Sequence, residues 1–149
     1  MIKVMKRLDR EVAMKMAFAQ LMGGQISYDE TVNMSYEDEE KIREIVEMKK
    51  AEDIEFAQML VNGVNDKSIE LDEIIDSYLK NWKSNNIAKV ELVILRIALY
   101  EIKYVKDCTN AVVINEAVEL AKKYCDDNKH QYINGVLGSI SRDIEKGNL

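Results

Sequence analysis

Apolar residues recur every three or four positions along most of this chain, the period of a helix with one buried side. Met5, Leu8, Val12 and Met16 make the first stripe, widened by Ala13, Ala17 and Leu21, and predict a helix over residues 3–22. Gly23 and Gly24 stop it, since glycine takes the left-handed conformation that a helix end requires. Residues 25–34 are polar and irregular and read as a loop. Ser35, with Asp38 three residues on, is a capping signature, and the acidic run through Glu40 suits the positive end of a helix dipole. Ile42, Ile45 and Val46 begin the next stripe, and Phe56, Met59, Leu60 and Val64 resume it, to an end near Gly63. The polar stretch 49–53 between them permits one long helix or two shorter ones.

Residues 65–68 form a turn, and either Asp66 or Ser68 caps a helix carrying Ile69, Ile74, Ile75, Tyr78, Leu79 and Trp82. Residues 87–104 are apolar nearly all round, as in a central helix surrounded by neighbours. After a turn at 107–110, a helix over 111–124 turns Val113, Ala117, Leu120, Ala121 and Tyr124 inward. Asp126, Asp127 or Asn128 caps the last helix, with Gln131 in the reciprocal position for Asn128. Its stripe is Tyr132 or Ile133, Val136, Leu137, Ile140 and Ile144, and Gly147 ends it. Gly135 and Gly138 lie inside that stripe, where close helix packing explains them better than a nucleic-acid-binding glycine loop. The pattern predicts an all-α fold of six to seven helices in one compact domain.

Composition agrees. The 149 residues suit one domain, 47% hydrophobic residues supply its core, and no proline with 6 glycines is too little punctuation for a turn-rich β fold. Lys plus Arg is 21 against 27 Asp plus Glu, and the net charge of −6 excludes a protein that coats nucleic acid by bulk charge. Cys108 and Cys125 form no C-x-x-C and read as thiols of a reducing compartment. The N-terminus lacks a leader-like apolar core, and the longest apolar run, residues 92–100, is broken by Arg96. No membrane contact and a cytoplasmic address are expected. His130 is the only histidine, so Asp127-x-x-His130 lacks the second motif of a di-iron bundle. With no nucleophile–base set and no phosphate-cradling loop, neither enzymatic activity nor a metal or other cofactor is expected.

Charge is unevenly placed. Lys3, Lys6, Arg7, Arg10 and Lys15 crowd the first helix against only Asp9 and Glu11, while residues 29–55 are strongly acidic. Lys3, Arg7 and Arg10 share a face. This is either a local anion site or a solvated face with pairs such as Arg7 to Glu11. Arg96, in its apolar run, is either a structural ion pair with Glu101 or Glu116 or a contact to phosphate or base. Tyr132 is either core or a stacking face for an unpaired base.

The segments Glu91-Leu-Val-Ile-Leu-Arg-Ile-Ala-Leu-Tyr-Glu101, Val113-Ile-Asn-Glu-Ala-Val-Glu-Leu-Ala-Lys122 and Tyr132-Ile-Asn-Gly-Val-Leu137 resemble, in order and spacing, the C-terminal signatures of the NusB transcription antitermination factors. Arg10-Glu11 with Ala13, Ala17 and Phe18, then Leu60-Val-Asn-Gly-Val64 and Trp82, extend the resemblance over nearly the whole chain. It implies two packed helical bundles, about 1–84 and 85–149, in a single RNA-binding domain without catalysis. It further implies binding of the single-stranded boxA element of ribosomal RNA transcripts together with NusE, the ribosomal small-subunit protein S ten. Other Nus factors and RNA polymerase would be engaged indirectly, and two copies of the chain can pair. On that resemblance Lys3, Lys6, Arg7 and Arg10 fall to the RNA backbone, Arg96 lies near the same groove and Tyr132 stacks. Tyr78 and Asn128 are further RNA candidates, and Phe18 and Glu91 fall to the NusE surface. The alternative is a helical protein-interaction module of the same fold that does not touch RNA.

Overall fold

The computed structural model describes residues 6–21, 51–79, 87–126 and 128–149, and the regular structure among them is helical throughout. The expected stops and caps at Gly23, Gly24 and Ser35, and Trp82, lie outside the described residues. The chain divides into two compact units, Met1–Asn62 and Gly63–Leu149. The bundle boundary expected near residue 84 falls in a stretch outside the described residues.

In the first unit, α1 (Lys6–Leu21) buries Val12, Ala13, Met16 and Ala17, the stripe its spacing predicts. Met14 and Ala19 lie off that stripe and are buried as well, so α1 is enclosed on more than one side. The enclosure includes Asp9, Arg10 and Glu11. The second helix, α2 (Ala51–Asp66), buries Ala57, Leu60 and Val61 and passes through Gly63 without ending there. What precedes Ala51, and so whether this helix is part of a longer one, is outside the described residues.

The second unit holds the last turn of α2, then α3 (Ser68–Tyr78), α4 (Lys89–Tyr100), α5 (Asn110–Tyr124) and α6 (Lys129–Glu145). Helix α4 packs on α3, α5 and α6, and α5 lies along α6. That central place follows from its sequence, with Leu92, Val93, Ile94, Leu95, Ile97, Ala98 and Leu99 all buried. Each large aliphatic side chain so buried contributes roughly 1.5–3 kcal/mol. The helical path continues past Tyr100 as a π-helical segment, Glu101–Val105, and closes at Lys106 in the left-handed region at φ 56°. No described helix is long and apolar enough to cross a membrane.

Several helix ends differ from expectation. The N-cap of α3 is Lys67, and Ser68 is already inside the helix, so neither Ser68 nor Asp66 caps it by side chain. Helix α5 is capped by Thr109, whose Oγ1 accepts from the Val112 N–H at 3.2 Å. Asn128 stands at the N-cap of α6, but at φ 71° it is left-handed and makes no side-chain cap. The reciprocal cap with Gln131 therefore does not form, because capping needs an extended N-cap backbone. At the other end Gly147, at φ 76°, closes α6 as expected, with Asn148 N–H donating to the Asp143 carbonyl at 2.9 Å.

The helical glycines also divide. A Cβ on Gly63 would collide with the ring end of Tyr100, so α2 and α4 meet there without a side chain between them. Gly135 has open space where its Cβ would be, and Gly138 would meet only the Arg142 Nη1 at 3.4 Å. Close helix packing therefore explains Gly63 and not Gly135 or Gly138.

Candidate nucleic-acid interface

The positive side chains of α1 are not one open face. Arg7 is exposed, but Arg10 is only 4% exposed, and its guanidinium carbon stands 5.9 Å from the Phe56 ring centroid. That stacking is a cation–π contact in a poorly solvated place. A phosphate contact by Arg10 requires its side chain to leave the Phe56 ring. Lys3 lies outside the described residues, Lys6 opens α1, and Lys15 and Phe18 are half-buried.

In the second unit, Arg96 is held by Asp72 on α3. Its Nε donates to Oδ1 at 2.7 Å and its Nη2 to Oδ2 at 2.5 Å, a two-pronged pair with side chains 14% and 25% exposed. The partner is therefore Asp72 rather than Glu101 or Glu116, and α4 carries its cation because a carboxylate one helix away meets both donors. Tyr78, the last residue of α3, donates its hydroxyl to Asp143 Oδ2 on α6 at 2.5 Å. Burial, reinforced by that acceptor, pushes the Tyr78 phenol up to about 12.

The first turn of α6 gathers the remaining candidates. Asn128 is exposed, and Lys129 places Nζ 5.8 Å from the centroid of the Tyr132 ring. The Tyr132 hydroxyl is buried and finds no hydrogen-bond partner among the described residues. Burial, and then the charge of Glu91, raise the Tyr132 phenol above its ordinary value. Glu91 itself, in the first turn of α4, is 3% exposed. Burial holds its carboxyl above the usual range, Lys129 opposes that shift, and Asp126 adds to it. Cys125 completes the group, its thiol pushed up to about 11 by burial first and then by Glu91 and Asp126. Cys108 and Cys125 are both free thiols.

The structure thus brings Tyr132, Glu91 and the neighbours of Asn128 into one charged cluster, and ties Arg96 and Tyr78 to carboxylates elsewhere in the unit. Glu91, expected on a partner surface, presents almost none. Lys129 and Asp72 were not singled out from sequence. Lys129 could have been, as a cation one helical turn from an aromatic, whereas Asp72 lies 24 residues from Arg96 with no local signal. Among the described residues no group of histidine, cysteine and carboxylate side chains is arranged to hold a metal.

The described residues define an all-helical fold. Residues 7–142 match the NusB family model, and the chain belongs to the NusB family. A Clostridium botulinum transcription antitermination protein NusB is 39% identical over 141 residues, covering 91% of this chain and 98% of the relative. The NusB structure of T. maritima superposes with a TM-score of 0.77 at 26% identity, covering 99% of this chain and all of that one. A second solved structure, of antitermination factors NusB and NusE in complex with double-stranded RNA, shares the fold with a TM-score of 0.74 at 23% identity, covering 95% of this chain and 98% of that one. The family consists of regulatory proteins that are not enzymes.

Proposed function

We propose that this protein is a transcription antitermination factor that joins NusE and binds the single-stranded boxA element of ribosomal RNA transcripts. On that reading the pair helps assemble the antitermination complex on RNA polymerase, in the cytoplasm. The observation that carries the reading is the match to proteins named for antitermination, at 39% identity over 91% of this chain and 98% of one relative's length. The solved complex of a related fold with NusE and double-stranded RNA supports NusE and an RNA as partners.

Exposed Arg7, with Lys3 and Lys6, supplies cations for the RNA backbone. Tyr132 supplies a ring for an unpaired base, with Lys129 moving from that ring to the adjoining phosphate. Asn128 lies beside them. Arg96 and Tyr78 act by fixing α3, α4 and α6 through Asp72 and Asp143. Phe18, and Glu91 where a conformational change uncovers it, fall to the NusE side. A net charge of −6 makes RNA binding by the protein alone weak, and NusE completes the site. Two copies pairing would be a storage form.

Fluorescence anisotropy of a boxA-like RNA tests this. Binding should strengthen when NusE is added and weaken with salt. No gain from NusE at any salt concentration refutes it. The burial of Arg10 and the pairing of Arg96 favour a second reading, a helical module that binds protein alone. Under that reading NusE binds and RNA never does.

A further inference from the structure

An open groove of about 560 Å³ runs between α5 and α6. Its size falls in the range of about 300–1,000 Å³ typical of sites for small ligands. Ile114 and Val118 form an apolar floor on one face of α5. Three carboxamides line it, Asn115 from α5 and Gln131 and Asn134 from α6, all exposed. Lys122 and His130 stand at one end, where α5 finishes and α6 begins. None of these side chains entered the candidate interface above, although His130 and Gln131 immediately precede Tyr132.

From this arrangement we infer that the groove holds one unpaired RNA nucleotide, its base on the Ile114–Val118 floor against the Asn115, Gln131 and Asn134 carboxamides and its phosphate toward Lys122 and His130. This rests on the proposal that the protein binds single-stranded RNA, and it adds a base-reading position to it. Carboxamides carry both donors and acceptors and pair with base edges, while an aliphatic floor accepts the flat face of any base. The Lys122 Nζ is 3.4 Å from Glu119 Oε2, but both side chains are exposed, and a pair so screened yields to a phosphate. A protein segment fits less well. Two aliphatic side chains and Ala111 offer it little apolar area, and the carboxamides would need a closely matched backbone.

The test uses the full chain with NusE and a boxA-like RNA in which each nucleotide is replaced in turn by an abasic one. Asn134→Ala and Lys122→Ala should each weaken binding of the intact RNA, Asn134→Ala by about tenfold. One abasic position should weaken the wild type similarly, and Asn134→Ala should add nothing at that position. Both variants lie on the surface, and circular dichroism confirms their folding. If both variants bind every RNA as the wild type does, the groove is not an RNA site. If they lose NusE while retaining RNA, the groove docks protein and the inference fails. If the wild type with NusE binds no RNA at all, the proposed function itself fails, which is a different result.

Discussion

Arg96 sits in an apolar helix because Asp72 meets two of its donors, so the pair is worth more than a screened surface contact. Asp72→Ala leaves a guanidinium of low exposure without its carboxylate, and should lower unfolding stability by about 2 kcal/mol. Urea denaturation would show it, and a change below about 0.5 kcal/mol would mean the pair is idle. The two glycine environments give a sharper contrast, since alanine is the better helix former by about 1 kcal/mol. Gly135→Ala, facing open space, should gain roughly that amount. Gly63→Ala should instead lose stability, because its methyl overlaps the Tyr100 ring, and Tyr100→Leu should restore part of the loss. Equal effects at the two sites would contradict the packing described. Tyr78 adds a pH signature. Its phenol is raised from 10 to about 12 in the folded protein, so the stability it lends is whole below about pH 10 and disappears as pH climbs to about 12. Tyr78→Phe should remove a late-ionising component from the ultraviolet titration, and an unchanged titration curve would contradict it.

Among elements, α4 and α6 set the chemistry. The first turns of both helices bring Glu91 near enough to Tyr132 for its charge to raise the phenol, and the buried carboxyl is itself raised above its ordinary value. A raised carboxyl favours the folded state when protonated, and that contribution is lost as pH rises through the folded titration. Glu91→Gln should therefore be more stable than the wild type at neutral pH, with the gain vanishing in acid. Thermal melts across pH would show this, and a variant less stable at neutral pH would mean the Lys129 attraction outweighs burial. Helix periodicity made α1 and α4–α6 legible in the sequence, because each stripe, or the all-round apolar run of α4, is a local property. The caps were less so. Asn128 and Ser68 are the right residue types, but cap geometry depends on the backbone of the incoming chain, which composition does not encode. The enclosure of Arg10 and the identity of the carboxylate that pairs with Arg96 were illegible for a related reason. Both depend on what a second helix places opposite, Phe56 in one case and Asp72 in the other.

For the whole molecule, a net charge of −6 opposes binding of a polyanion, and the proposed function requires NusE to complete the site. The C-terminal signatures made the family legible from sequence, whereas the groove between α5 and α6 needed two helices placed side by side. Completion of a site by a partner is a coupling free energy, so it acts equally in both directions. Calorimetric titration of NusE into the protein, with and without saturating boxA-like RNA, is the most direct measurement of that coupling. RNA should tighten NusE binding by the same factor by which NusE tightens RNA binding. Identical NusE affinities with and without RNA would contradict it.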